Sequence, residues 1–159
     1  MPQVDFHILR GTSAGARLKL ACQLAERAYR DGSRVLVRVD SEAEVTELDT
    51  LLWTFGDGTF VPHDRLTAGG APEQQEAPVA LTAGALPPTL AAWPMLIDLA
   101  LGNPPATHGS AASLPQRIAE IVDADENRRR VGRERFRAYR DAGLTPNTIN
   151  HDEDTAANG

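Results

Sequence analysis

A single cysteine, Cys22, among 159 residues leaves no second thiol for a disulfide. That excludes a disulfide-stapled secreted scaffold and points to a reducing compartment. Long apolar runs are missing too: no stretch approaches the roughly 18 residues of a membrane span. The opening MPQVDFHIL has neither the basic start nor the apolar run of a secretory signal, so the expected location is the cytoplasm, with no membrane partner. The four histidines, His7, His63, His108 and His151, show no zinc spacing, and Cys22 sits on the apolar face of a helix-like segment as a core residue would. No metal site is expected from either. Net positive charge is also lacking, since the formal charge is −6, which argues against a surface built to coat DNA.

That average hides a local reversal. Between Glu126 and Asp141 there are seven arginines against three acids, a net of +4 inside a chain of −6. A short basic surface on an acidic body suits an acidic peptide at least as well as a long polyanion.

The length suits one domain with one sizeable core. Val4, Phe6 and Ile8 alternate with Asp5 and His7, the period of a strand; residues 11–15 form a small-residue turn. Leu20, Leu24 and Ala28 then recur at helical spacing, ahead of Gly32 as a stop. RVLVRV at 34–39 reads as a second strand. Ser41 followed by Glu44 makes a capping box for a helix striped by Val45, Leu48, Leu51 and Leu52. This βαβα opening predicts a layered α/β fold with a mostly parallel central sheet flanked by helices. The middle is rich in glycine and proline; short strands fit at 79–81, 95–99 and 117–122, and the stretch 103–114 reads as a loop. Asp125 can cap a last helix over 126–142, stopped by Gly143. The expected domain is 1–148, followed by a flexible acidic tail at 149–159.

GTSAGAR at 11–17 occupies the turn where a phosphate site would begin. It matches neither GxGxxG nor GxxxxGK[ST], so a plain strand-to-helix turn is the better reading and no cofactor is expected. Asp40, Asp98 and Asp123 fall at or near strand ends, where three carboxylates could hold a divalent metal. Caps and turns account for the same residues without one.

Two constellations remain. Trp53 ends an amphipathic helix and is followed by Phe55, Phe60 and Val61, either as core anchors or as a binding pocket. In the last helix Arg129, Arg133, Phe136, Arg137 and Arg140 share one side. They form either a solvated face, with pairs such as Glu126–Arg130 and Arg137–Asp141, or a site for an acidic, partly aromatic peptide end.

WTFGDGTFVPHDRL at 53–66, PV at 78–79, RERFRAYRDAG at 133–143 and PNT at 146–148 together resemble the chi subunit family of bacterial DNA polymerase III holoenzyme, over residues 4–148. The resemblance implies a non-catalytic accessory protein, mononucleotide-binding-like in fold but without a nucleotide site. It implies two partners: the psi subunit, which tethers it to the clamp loader, and the acidic, phenylalanine-ended C-terminal tail of single-stranded DNA-binding protein, giving an indirect association with single-stranded DNA. The family's tail site falls on Trp53, Phe60, Arg129, Arg133, Phe136 and Arg137. Arg140 lies beside them, and the 144–148 turn with Leu144 and Thr148 is nearby. A tyrosine is common where Phe136 stands, so one hydroxyl is missing here. Direct single-stranded DNA binding by the arginine helix, with bases stacking on Trp53 or Phe60, is the alternative.

Overall fold

A computed structural model describes residues 2–54, 60–67, 69–102, 105 and 113–151. Phe55, most of the expected loop at 103–114 and the tail from 152 onward lie outside the described residues. The strands are β1 (Gln3–Leu9), β2 (Val35–Val39), β3 (His63–Arg65), β4 (Val79–Ala83), β5 (Met95–Asp98), β6 (Arg117–Val122) and β7 (Asn147–His151). The helices are α1 (Ala14–Arg30), α2 (Glu42–Thr54) and α3 (Glu126–Asp141). One seven-stranded sheet runs β3-β4-β2-β5-β6-β1-β7, and each described pairing is parallel. The expected mostly parallel sheet with flanking helices is therefore what the chain forms.

A parallel sheet must be covered on both faces, and β2 and β5 are buried along their whole length. On one face α1 and α2 lay Leu18, Leu24, Val45, Leu48 and Leu52 against Val35, Val37, Val79 and Ile97. On the other, α3 and the turn around Leu90 and Trp93 cover Val4, Phe6, Leu36, Leu96 and Ile118. The alternation of β1 decides which residue serves which face: Phe6 goes with α3 and Leu9 with α1.

The cap read at Ser41 is present, and Ser13, within what was read only as a small-residue turn, caps α1 as well. The Ser13 side chain accepts from the Ala16 amide at 3.3 Å, and Ser41 Oγ accepts from the Glu44 amide at 3.2 Å. The Glu44 carboxylate reaches back one residue further than the expected box, to the Asp40 amide at 3.2 Å. Cys22 is fully buried on the inner side of α1, and burial pushes its thiol up to about 12, far from any nucleophile's range. β3 and β7 have no counterpart in the sequence reading. β7 carries the sheet through Ile149, Asn150 and His151, residues expected in the tail.

Candidate functional site

α3 starts where Asp125 accepts from the Arg128 amide at 3.0 Å, and it stops at Gly143, whose φ of 90° suits glycine. Its inward face is unusual for a core helix, because the buried residues are Gly132, Arg135 and Tyr139. Gly132 lets the helix settle onto β6: a Cβ there would lie 3.0 Å from Val122 Cγ2.

Below the next turn a polar network replaces an apolar stripe. Arg38 from β2 grips Asp98 of β5 with two parallel bonds of 3.1 Å. Arg135 donates to the same Asp98 at 3.2 Å and to Glu120 of β6 at 2.8 Å, and the Tyr139 hydroxyl donates to Glu120 at 2.6 Å. All five side chains are buried. Burial raises the Glu120 carboxyl to about 6 despite the opposing Arg135 charge. Burial together with the Glu120 charge likewise raises the Tyr139 phenol.

The structure sorts the seven arginines. Arg135 belongs to this network, and Arg128 donates to Asp40 at 2.8 Å and to the Leu99 carbonyl at 2.7 Å. Arg130 pairs with Glu134 at 3.0 Å, in place of the Glu126–Arg130 pair expected from spacing. Arg129, Arg133, Arg137 and Arg140 are exposed along the outer side of α3.

Beside that row lies an open cleft of about 260 Å³, lined by Phe6, Ile8, Val122, Gly132, Phe136, Thr148, Arg129 and Arg133. The Phe6 and Phe136 rings meet at 5.3 Å and 51°, and Tyr139 backs Phe6 edge-on at 5.9 Å. An apolar slot with guanidinium groups at its rim can take an aromatic side chain and a carboxylate together.

Of the residues expected at one site, Arg129, Arg133, Phe136 and Thr148 come together in this cleft, with Arg137 and Arg140 continuing the basic row along α3. Leu144 is buried in the core under α3. Trp53 and Phe60 are not brought to the cleft. Trp53 ends α2, which packs on the opposite face, over β2, β3 and β4. There it meets Phe60 at 5.0 Å and 41°, and both rings are more than half exposed. The cleft instead adjoins β6, β1 and β7, at the other end of the strand order. Phe6, Ile8, Val122 and Gly132 were absent from the sequence reading of the site. A glycine inside an arginine-rich helix was the available signal of close approach.

The three strand-end carboxylates do not converge. Asp98 belongs to the network, Asp40 pairs with Arg128, and Asp123 with Arg17 at 2.6 Å, while Asp98 and Asp123 also accept from the amides two residues on, Ala100 and Asp125, both at 3.0 Å, as the turn reading expected. Among the described residues no group of three or more His, Cys, Asp or Glu could hold a metal, and no helix is long and apolar enough to cross a membrane.

Fold and site thus define a parallel α/β domain that exposes a basic-rimmed cleft toward one end of its sheet and an aromatic pair toward the other. The family model "DNA polymerase III chi subunit, HolC" matches residues 1–147, and the chain belongs to this family. It is 38% identical to the DNA polymerase III subunit chi of Pseudomonas aeruginosa over 143 residues, covering 90% of this chain and 92% of that protein. It is 31% identical to the Escherichia coli K12 subunit over 139 residues, covering 82% of each. Among solved structures, the C-terminal domain of the DEAD-box protein Dbp5 is similar in fold, with a TM-score of 0.57 at 12% identity, covering 96% of this chain and 92% of that one. The family is one of non-catalytic accessory subunits, with a general adaptor role in the replisome.

Proposed function

We propose that this chain is a cytoplasmic adaptor that links the clamp loader to coated single-stranded DNA through two separate surfaces. The cleft of Arg129, Arg133, Phe136 and Thr148 receives the acidic, phenylalanine-ended tail of single-stranded DNA-binding protein. The terminal ring enters the slot over Phe6, Ile8 and Val122, and the carboxylates meet Arg129 and Arg133. Arg137 and Arg140 extend the row for acidic residues upstream. The exposed Trp53–Phe60 pair, across the sheet, docks psi. The observation that carries this reading is the apolar cleft with two exposed arginines at its rim. The adaptor contributes linkage and effective concentration, with no bond made or broken.

Direct single-stranded DNA binding draws on the same arginine row. It lacks the aromatic platform that bases need, because Trp53 and Phe60 face away from α3 and the chain is acidic as a whole. A crossed titration tests the proposal. R129E/R133E is expected to weaken an acidic peptide ending in proline and phenylalanine by at least about 100-fold and to keep psi, since it reverses charge at charge-assisted contacts. Trp53→Ala is expected to do the reverse. An oligonucleotide that binds the wild type more tightly than the peptide overturns it.

A further inference from the structure

Among the described residues no ion pair involves Arg129, Arg133, Arg137 or Arg140, although Arg128, Arg130 and Arg135 of the same helix each find an acid. All four are exposed. The sequence holds one run of three successive acids, Asp152, Glu153 and Asp154, and no basic residue follows it up to residue 159. Opposite charges of matching number thus stand on α3 and just past β7.

The fold brings that run to the cleft. β7 pairs in parallel with β1, Ile8 opposite Asn150 and Leu9 opposite His151. Ile8 and Thr148 line the same cleft as Arg129 and Arg133. His151 is tied down at this point, its Nε2 standing 3.0 Å from His7 Nδ1 with the two rings stacked at 5.3 Å. Asp152 is the next residue in the chain, and Arg10, one residue past Leu9, is exposed at the same end of the sheet. Three extended residues span about 10 Å, enough to cross a slot sized for one aromatic ring, whereas Arg140 lies about 16 Å along the helix from Arg129. The acids therefore reach the rim of the cleft and stop short of the far end of the row.

We propose that Asp152, Glu153 and Asp154 close over the rim of the cleft onto Arg129 and Arg133, as a tethered competitor of its acidic ligand. This contact presupposes the cleft as the peptide's site and adds a filter to it. Exposed carboxylate–guanidinium pairs are individually weak, but a tether of a few residues supplies an effective concentration on the order of millimolar. Residues 152–159 contain no Phe, Tyr or Trp, so they cover the basic rim and leave the apolar slot over Phe6, Ile8 and Val122 open. A peptide that ends in phenylalanine seats its ring in that slot and takes Arg137 and Arg140 before the acids leave, so the competition weakens it little. A ligand that offers negative charge alone, such as the phosphates of single-stranded nucleic acid, meets an occupied rim.

The test compares the full wild-type chain with D152N/E153Q/D154N and with E47Q/E73Q/E76Q, which removes three charges as well, from exposed positions on α2 and ahead of β4. With the arginines labelled with nitrogen-15, the Nε resonances of Arg129 and Arg133 are expected to move in D152N/E153Q/D154N and to stay in place in the control, while Arg140 moves in neither. Affinity for a short oligothymidine, and for an acidic peptide whose terminal phenylalanine is replaced by alanine, is expected to rise about tenfold in D152N/E153Q/D154N, the gain from freeing a rim that is open about a tenth of the time. The phenylalanine-ended peptide is expected to gain only about threefold, and the control less than about twofold with every ligand. Unmoved Arg129 and Arg133 resonances overturn the proposal. Equal gains in the two triple variants overturn it too, because net charge alone would then account for them. If R129E/R133E keeps full affinity for the phenylalanine-ended peptide, the reading of the cleft falls instead, and the arginine resonances still decide whether the acids lie on the rim.

Discussion

Gly132 packs so closely on Val122 that a Cβ at its position would stand 3.0 Å from Val122 Cγ2. Both residues line the cleft, so the depth of the slot is set by how near α3 approaches β6. Gly132→Val is therefore expected to lift the helix and weaken the acidic peptide about tenfold or more, with psi affinity unchanged. Overpacking at a tight contact typically costs 1–3 kcal/mol, or about one to two decades in a coupled equilibrium. Gly132→Ala is expected to stay close to the wild type in stability, because a gain of roughly 1 kcal/mol in helix propensity offsets the tight methyl contact. Calorimetric titration with both partners, beside urea unfolding, measures each effect.

The helix that carries the site is anchored by charge. Arg135→Met leaves Glu120 with only the Tyr139 hydroxyl, and Asp98 with Arg38 alone among the side-chain bonds described. Breaking a buried pair in this way is expected to cost about 3–5 kcal/mol. Arg137→Met, two residues on and on the exposed side of α3, is expected to stay within about 0.5 kcal/mol. Chemical unfolding of the two variants side by side decides it, and equal destabilisation would show that α3 does not depend on the network.

The first half of the fold was legible because β1, α1, β2 and α2 each carry their own periodicity and caps. β3 and β7 were not. HDR is three residues long without an apolar alternation, and NTINH is an edge strand whose polar side chains face solvent. Its pairing with β1 is a contact between the two ends of the chain that no local pattern announces. The site was legible in the same uneven way. Helical spacing alone grouped Arg129, Arg133 and Phe136, because α3 is a single element. Nothing local could say on which face of the sheet Trp53 would lie, so the residues expected together lie in two places. Nor could spacing tell which arginines would turn inward, since Arg128 and Arg135 find their acids just past the end of β2 and on β5 and β6.

Acid stability is expected to reflect two buried groups of opposite sign. His7 bonds His151 at 3.0 Å, and burial, reinforced by His151 and Arg27 against Asp5, lowers it from 6.5 to about 4. In that interval the unfolded chain binds a proton that the folded chain refuses. The His7 contribution is thus fully present above about 6.5 and is lost as the pH falls toward 4. Glu120, raised from 4.5 to about 6, does the opposite: the folded state holds the extra proton, so this contribution is full below 4.5 and lost as the pH rises through 6. His7→Gln is expected to flatten or invert the wild-type loss of stability between about pH 6.5 and about pH 4, and Glu120→Gln to steepen it. Melting temperatures across that range check both signs.

Salt separates the two surfaces. Arg129 and Arg133 stand exposed at the rim of the cleft, and Arg137 and Arg140 continue the row in solvent. Their attraction for carboxylates is screened over a Debye length of about 10 Å at 0.1 M, whereas contacts made by the Trp53 and Phe60 rings are mainly apolar and respond little to salt. Raising the salt from about 50 to about 300 mM is expected to weaken the acidic peptide by roughly an order of magnitude, mostly through slower association, and to change psi affinity by less than about twofold. R137E/R140E, outside the cleft, is expected to reduce the salt dependence while leaving the terminal phenylalanine seated. Replacing that phenylalanine of the peptide by alanine is expected to do the converse, cutting affinity while the salt slope persists. If the alanine peptide lost its salt dependence as well, ring and carboxylates would be acting as a single contact, and the division of the cleft into an apolar slot and a basic rim would fall.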